Sequence, residues 1–307
     1  MERERTGLIS IVKLLHDFAK SENHIIGFCD ALPLSFIQNP DTPFVSRDVA
    51  MRQDPSACLP GAKSIIVVGV KNENRNNPPM PTDAGILSVL SVSDDYHVIV
   101  KNVINKLISE IKNQMDFAYK ILVDSPYLDE RRLAVKAGLG YIGKNGLVIT
   151  KEFGTRFNIG LLLTDIDIDD GTVLKCDDYM MHCSDSCNRC IKACPTGALS
   201  DTTRCNVLRC ISYLTQKNNI TSEEAVLVGS HLYGCDICQD VCPKNQPQQA
   251  YWAIPEDWLS MSDDDFKDKY GNTAMMWRGA KLLRRNAKIV INNRATLSQD
   301  QLVLPQN

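Results

Sequence analysis

Apolar residues return at helical spacing in three stretches of the chain. Leu8, Ile11, Leu14, Leu15 and Phe18 predict a helix over 8–20. Val100, Val103, Ile104, Leu107, Ile108, Ile111 and Met115 predict a longer one over 97–115. Residues 129–137 read as a third, stopped at its C-terminus by Gly138. Around them the pattern changes to short apolar runs. The run 63–70 follows Pro60-Gly61 and is rich in β-branched residues, as a buried strand is. Segment 119–123 reads as a short strand ending at Asp124, and 147–150 and 159–168 as two more. Alternation of this kind over 1–170 predicts one layered α/β or α+β domain. A last helix is expected over 278–293, before a polar tail.

The pattern breaks after Asp170-Gly171. Residues 176–245 hold ten of the 12 Cys, several Asp and few long apolar runs, so order there is expected from metal rather than from a large core. Elsewhere the composition is ordinary. With 44% hydrophobic and 23% charged residues over 307 positions, a disordered chain is excluded and about two domains are expected. Apolar runs such as 65–68 are far too short to span a bilayer. The net charge of −3 gives no global basic field of the kind a nucleic-acid binder shows. The first helix carries Lys13, His16 and Asp17 and has no continuous apolar core of an export signal. The expected compartment is the cytoplasm, where Cys clusters hold metal more often than they form disulfides.

The cysteines are spaced as a framework. One run reads Cys183-x3-Cys187-x2-Cys190-x3-Cys194-Pro195, and a second reads Cys235-x2-Cys238-x3-Cys242-Pro243. C-x2-C-x3-C-P thus occurs twice, close to the bacterial ferredoxin run whose last Cys ligates the other cluster. The first spacing is x3 where x2 is usual. Two [4Fe–4S] clusters need eight thiolates; the runs supply seven, and Cys210 or Cys205 lies between them. Crossing the last Cys of each run gives one set of Cys183, Cys187, Cys190 and Cys242. The other set is Cys194, Cys235, Cys238 and Cys210. The alternative is a pair of four-thiolate zinc sites, which need no Cys-Pro after a third Cys. Cys29, Cys58 and Cys176 stand alone and read as small buried hydrophobes.

Three motifs miss their usual meaning. Gly138-Leu139-Gly140-Tyr141-Ile142-Gly143 fits G-x-G-x-x-G, but a helix precedes it and a strand follows, the reverse of a dinucleotide site. Read as a phosphate loop, it places Asn145 where Ser or Thr should hold magnesium. Such glycines still let backbone approach a flat ligand. Asp95-Tyr96-His97 begins like the D-x-H-x-x-G signature of corrinoid proteins, but Val100 stands at the glycine position, so His97 reads as an ordinary partly exposed histidine.

An ordered set of strings runs from about 45 to 292. Arg52-x-Asp54-Pro55, Leu59-Pro60-Gly61-Ala62-Lys63-Ser64 and Asp95-Tyr96-His97 come first. Asp124-Ser125-Pro126, Glu130-Arg131 and Ala137-Gly138-Leu139-Gly140-Tyr141-Ile142-Gly143-Lys144-Asn145 follow. Then come Cys190-x3-Cys194-Pro195-Thr196-Gly197-Ala198, the CISYLT string from Cys210, the GCDICQDVCP string from Gly234, and Arg285-Asn286. The set resembles the epoxyqueuosine reductases, and the architecture is similar to the core of reductive dehalogenases. The resemblance implies a cobalamin-binding α/β domain over 1–172 and a ferredoxin-like two-cluster domain over 173–248. A short helical C-terminal region over 249–307, truncated relative to the family's helical repeats, would follow. It implies reduction of epoxyqueuosine to queuosine in tRNA. Electrons would pass from a low-potential donor such as flavodoxin or ferredoxin, through the two clusters, to a base-off cobalamin. A monomer without membrane attachment is expected.

Asp124 matches the family's proton donor, and desolvation beside a flat corrin would raise its pKa. Corrin contacts would fall at Arg52, Asp95, Tyr96, Gly140, Gly143, Lys144, Asn145, Ser212 and Asp236. On the last helix Arg278, Lys281, Arg285 and Lys288 share one face, with Arg284 at its edge and Leu283, Ala287 and Val290 opposite. That face is the candidate phosphate contact for tRNA. Two other readings are a paralogous corrinoid iron–sulfur reductase with a different substrate and a two-cluster electron carrier without corrin. The segment from Asp124 to Asn145 argues against the carrier, which needs no such site.

Overall fold

Nine strands organise the described residues: β1 (Ile25–Asp30), β2 (Ser64–Lys71), β3 (Gly85–Leu87), β4 (Tyr119–Val123), β5 (Tyr141–Ile142), β6 (Val148–Ile149), β7 (Phe157–Thr164), β8 (His231–Tyr233) and β9 (Tyr251–Ala253). The computed structural model describes residues 2–34, 43–72, 78–168, 183–200 and 205–302. They fall into two compact units, Met1–Asn72 with His97–Cys187, and Glu73–Tyr96 with Asn188–Asn307. The division expected at 172/173 and Cys176 lie outside the described residues.

In the first unit the sheet order is β1-β2-β7-β4, and every neighbouring pair is antiparallel. The layering is therefore α+β rather than a parallel wound sheet. β2 is buried from Ser64 through Val70, as a continuous apolar run must be when both its faces are covered. On one face Ile65, Val67, Leu161 and Leu163 join Leu133 and Leu139 in a single core. On the other, the helix Tyr96–Lys112 lies against Gly160 of β7. A Cβ at Gly160 would stand 2.4 Å from Val100 Cγ1 and 2.7 Å from Ile104 Cδ1. Gly160 also pairs with Val123, the last residue of β4. That close approach sets the first turn of the helix beside the end of β4.

Strands β1 and β5 are not predicted by the sequence pattern. β1 is interrupted by Gly27, which weakens a strand signal, yet glycine is required there. A Cβ would meet the carbonyl oxygen of Ala137 at 2.0 Å. The predicted strand at 159–168 runs instead over Phe157–Thr164, and that at 147–150 shrinks to Val148–Ile149.

The second unit has the sheet order β8-β3-β9, with β3 parallel to β8 and antiparallel to β9. Each of these strands has three residues, too short for alternation to announce. Trp258, Phe266, Met275, Leu283, Ala287 and Val290 pack behind the sheet with Leu87 and Tyr251. The residues after 249 are thus half of a core, where the sequence suggests only a tail. The closing helix spans Gly279–Leu302. No described helix is long and apolar enough to cross a membrane.

Candidate active site

Asp124 follows β4 with φ of 45°, the left-handed region that non-glycine residues enter rarely and Asp more readily than most. Its Oδ2 stands 3.7 Å from Nε2 of His97, on the first turn of the helix that Gly160 admits. His97 is partly exposed, as expected, and faces Asp124. Its signal was the Asp95-Tyr96-His97 string, set aside because Val100 replaces a glycine; Val100 is instead the core residue that seats the helix on Gly160.

The desolvated acid expected at Asp124 is found six residues later. The side chain of Asp124 is 67% exposed, being carried on a turn beyond the strand end. Glu130 opens the helix Glu130–Lys136, whose N-cap Asp129 accepts from the N–H of Arg132. Its Oε1 accepts the N–H of Ser125 at 3.1 Å, folding the turn back on itself. Burial pushes the Glu130 carboxyl up to about 8; the charges of Asp124 and Asp129 add to the rise, while the Ser125 N–H and His97 oppose it. Glu130 reads in the sequence only as an acidic residue in a first helical turn, so nothing there announces its burial.

The glycine run serves the chain's own packing. Gly138, with φ of 78°, ends the preceding helix as predicted. A Cβ at Gly140 would meet the carbonyl oxygen of Ile149 at 2.1 Å, and one at Gly143 would meet Ile149 Cδ1 at 2.5 Å. The side on which a Cβ would stand is filled at both positions by β6, so the chain's own packing requires glycine there. Asn145 is buried, and its Oδ1 accepts from Leu147 N–H in the turn between β5 and β6. Arg131 Nη1 donates to Gly146 O at 2.9 Å, tying this turn to the helix that carries Glu130. Lys144 Nζ donates to Asp185 O. Arg52 is buried in the last turn of the helix Val49–Gln53, while the Asp54 carboxylate caps the next helix at Ser56 N–H.

In the second unit, Tyr96 begins a helix and the N–H of Asp95 donates to Asn272 O at 2.7 Å. Both carboxylate oxygens of Asp236 are engaged, Oδ2 by Val89 N–H and Oδ1 by Gln239 Nε2. That carboxylate is a cap within the fold. The Ser212 carbonyl accepts from Thr215 Oγ1 and Gln216 Nε2.

Cys235 feels the charges of Cys194 and Cys210, and Cys238 those of Cys235, Cys210 and Cys190. Burial raises Cys235 to about 12 and raises Cys238 as well. At Cys194 burial is outweighed by the Thr196 hydroxyl and by the N–H groups of Thr196, Ala198 and Leu199, which lower it. Cys205 and Cys210 are hydrogen-bonded to each other. The bond lowers Cys210, aided by the N–H groups of Ser212 and Tyr213, and raises Cys205. This donor set fits an iron–sulfur cluster, because thiolates need such N–H groups. The N–H groups of Ser212 and Tyr213 at Cys210 favour a thiolate there. Among the described residues no three such groups close on a single metal ion. Cys183 and Cys187 fall in the first unit, Cys190 and Cys242 in the second.

The basic helical face divides. Lys281 and Lys288 are exposed, as a phosphate contact requires. Arg278 and Arg285 turn inward. Arg278 Nη2 donates to Gln216 O and to Asn218 Oδ1, and Arg285 donates to Lys217 O, Asn218 O and Thr215 O. The fully buried Asn286 beside them donates through Nδ2 to Thr215 O and to Leu232 O, both at 2.8 Å. Thr215 Oγ1 in turn accepts Gly234 N–H, next to Cys235. A helical wheel shows which residues share a face, not that a loop wraps it.

A two-cluster iron–sulfur protein is the class these features define. Residues 182–245 match the family described as 4Fe-4S double cluster binding domain, which sets aside the zinc alternative. Residues 52–125 match the one described as Epoxyqueuosine reductase QueG, DUF1730. The epoxyqueuosine reductase of Staphylococcus aureus is 34% identical over 265 residues, covering 81% of this chain and 68% of that one. That of Lactococcus garvieae is 34% identical over 280 residues, covering 86% and 77%. The chain belongs to the epoxyqueuosine reductase family. Among solved structures, an epoxyqueuosine reductase with an epoxyqueuosine-modified tRNA-Tyr stem loop matches with a TM-score of 0.82 at 28% identity, over 93% of this chain and 82% of that one. The Streptococcus thermophilus enzyme matches with a TM-score of 0.79 at 29% identity, over 95% and 85%.

Proposed function

We propose that this chain reduces epoxyqueuosine to queuosine in tRNA. One observation carries the reading: the fold follows, over nearly its whole described length, that of an enzyme solved with an epoxyqueuosine-modified stem loop. The reaction takes two electrons and two protons and releases the epoxide oxygen as water. Cys194, Cys210, Cys235 and Cys238 hold one of two clusters, and Cys205 donates to Cys210 without ligating. Cobalamin, when bound, supplies low-potential cobalt chemistry at the epoxide carbon. On the first unit, Arg52, Gly140, Gly143, Lys144 and Asn145 are its candidate contacts.

Asp124 delivers the proton that lets the oxygen leave, and His97 at 3.7 Å holds the carboxylate and restores its proton. A Bacillus subtilis enzyme of 27% identity has been solved with its catalytic aspartate loop swung out of the active site, so in that protein too the catalytic aspartate stands on a loop. Lys281 and Lys288 offer charge to tRNA phosphates. The electron donor is a low-potential flavodoxin or ferredoxin, the protein acts as a monomer, and the reducing cytoplasm is its compartment.

The test is anaerobic turnover of tRNA carrying epoxyqueuosine, with nucleosides read by mass spectrometry after reconstitution with iron, sulfide and cobalamin. Queuosine must appear. Intact clusters and bound cobalamin without queuosine would move the chain to a paralogous reductase; clusters without cobalamin binding would leave an electron carrier.

A further inference from the structure

We propose that Glu130 is a positioning residue for Asp124, a latch that closes the turn 124–130 and fixes the peptide on which the proton donor stands. This rests on the reading of Asp124 as that donor. The Ser125 N–H that Glu130 accepts belongs to the peptide directly after Asp124. Holding it fixes the plane that follows the left-handed residue, whose φ of 45° persists only where its surroundings impose it.

The rest of the turn is held in the same way. Leu128 is a buried plug in the core of the first unit. Pro126 O accepts Ser46 N–H at 2.7 Å, and Ser125 Oγ accepts Tyr127 N–H at 3.3 Å. One end is anchored by the pairing of Val123 with Gly160, the other by the helix that Asp129 caps. Glu130 is the side chain that joins the two ends.

The choice of a carboxyl has a second consequence. Asp124, Asp129 and His97 are the titratable groups that face it. Kept neutral by burial, Glu130 accepts from Ser125 without adding a further negative charge beside Asp124. Ionised, it repels the Asp124 carboxylate and so raises that group's hold on its own proton. Either state accepts the Ser125 N–H, so the latch itself does not depend on the protonation of Glu130.

Two variants separate these roles. Glu130→Gln keeps an acceptor of the same shape but cannot ionise; Glu130→Ala removes the acceptor. Amide exchange at Ser125, measured on the intact protein without substrate, should quicken by about tenfold in Glu130→Ala and stay near wild type in Glu130→Gln. In turnover, Glu130→Ala should lower kcat by about tenfold or more with KM little changed. Glu130→Gln, which keeps the acceptor, should restore kcat to near the wild-type value. Unchanged Ser125 exchange in Glu130→Ala, or a kcat in Glu130→Gln as low as that of Glu130→Ala, would overturn the latch. Asp124→Asn separates its failure from that of the underlying reading: full activity in that variant removes Asp124 itself, whatever Glu130 does.

Discussion

Glu130→Gln also makes a prediction about stability, independent of any cofactor. A carboxyl whose pKa rises from 4.5 in the unfolded chain to about 8 in the fold binds its proton more tightly when folded. Its contribution to stability is therefore complete below about 4.5 and is lost as pH climbs through about 8. At about 1.36 kcal/mol per pH unit the whole rise amounts to roughly 5 kcal/mol. Water reaching the partly accessible residue screens this to roughly 2–3 kcal/mol. Glutamine has no such titration. The melting temperatures of variant and wild type should lie close together at about pH 4.5 and diverge progressively up to about pH 8, the variant higher by several degrees, at about 2–4 °C per kcal/mol. Differential scanning fluorimetry on matched preparations suffices. A gap that stays constant across that range would show that Glu130 ionises as an ordinary surface glutamate, and the account of its burial would fail.

Other positions give sharp expectations. Gly160→Ala should cost about 1–3 kcal/mol, read by denaturant midpoint, because the added methyl meets Val100 and Ile104 at well under contact distance. It should also lower turnover by moving His97 off Asp124. Asn286→Ala strands two buried carbonyls and should cost about 2–4 kcal/mol, with an altered cluster EPR signal because Thr215 and Gly234 lose their support. Cys205→Ala should retain about eight irons per chain, whereas Cys210→Ala should lose a cluster's share, both by iron assay.

Periodicity sees what repeats along one element. The Val100-to-Ile111 stripe was legible because every turn of that helix buries the same face. The cysteine framework was legible because cluster ligands must sit at short fixed spacings. β1 was hidden by Gly27, a residue chosen for a contact with Ala137 that lies far along the chain. Glu130 was hidden for a related reason: its burial is made by the turn folding over it, and composition cannot register that. At Gly140 and Gly143 the sequence shows the glycines but not that Ile149 requires them, because that contact is made by another strand. Arg285 was misassigned because the loop Thr215–Asn218 that claims it comes from elsewhere in the chain.

The Asn286 bridge has a bearing on how the protein is made. A ribosome delivers Cys210 and Cys235 well before it delivers Asn286, and at about 5–20 residues per second the interval lasts some seconds. During that time the carbonyls of Thr215 and Leu232 have no amide spanning them, and the loops that present the thiols are not yet tied together. Local structure forms in microseconds and cannot wait for the bridge. The direction of synthesis therefore sets an order of assembly. Iron that arrived on the nascent chain before Asn286 would meet thiols whose loops lack this tie.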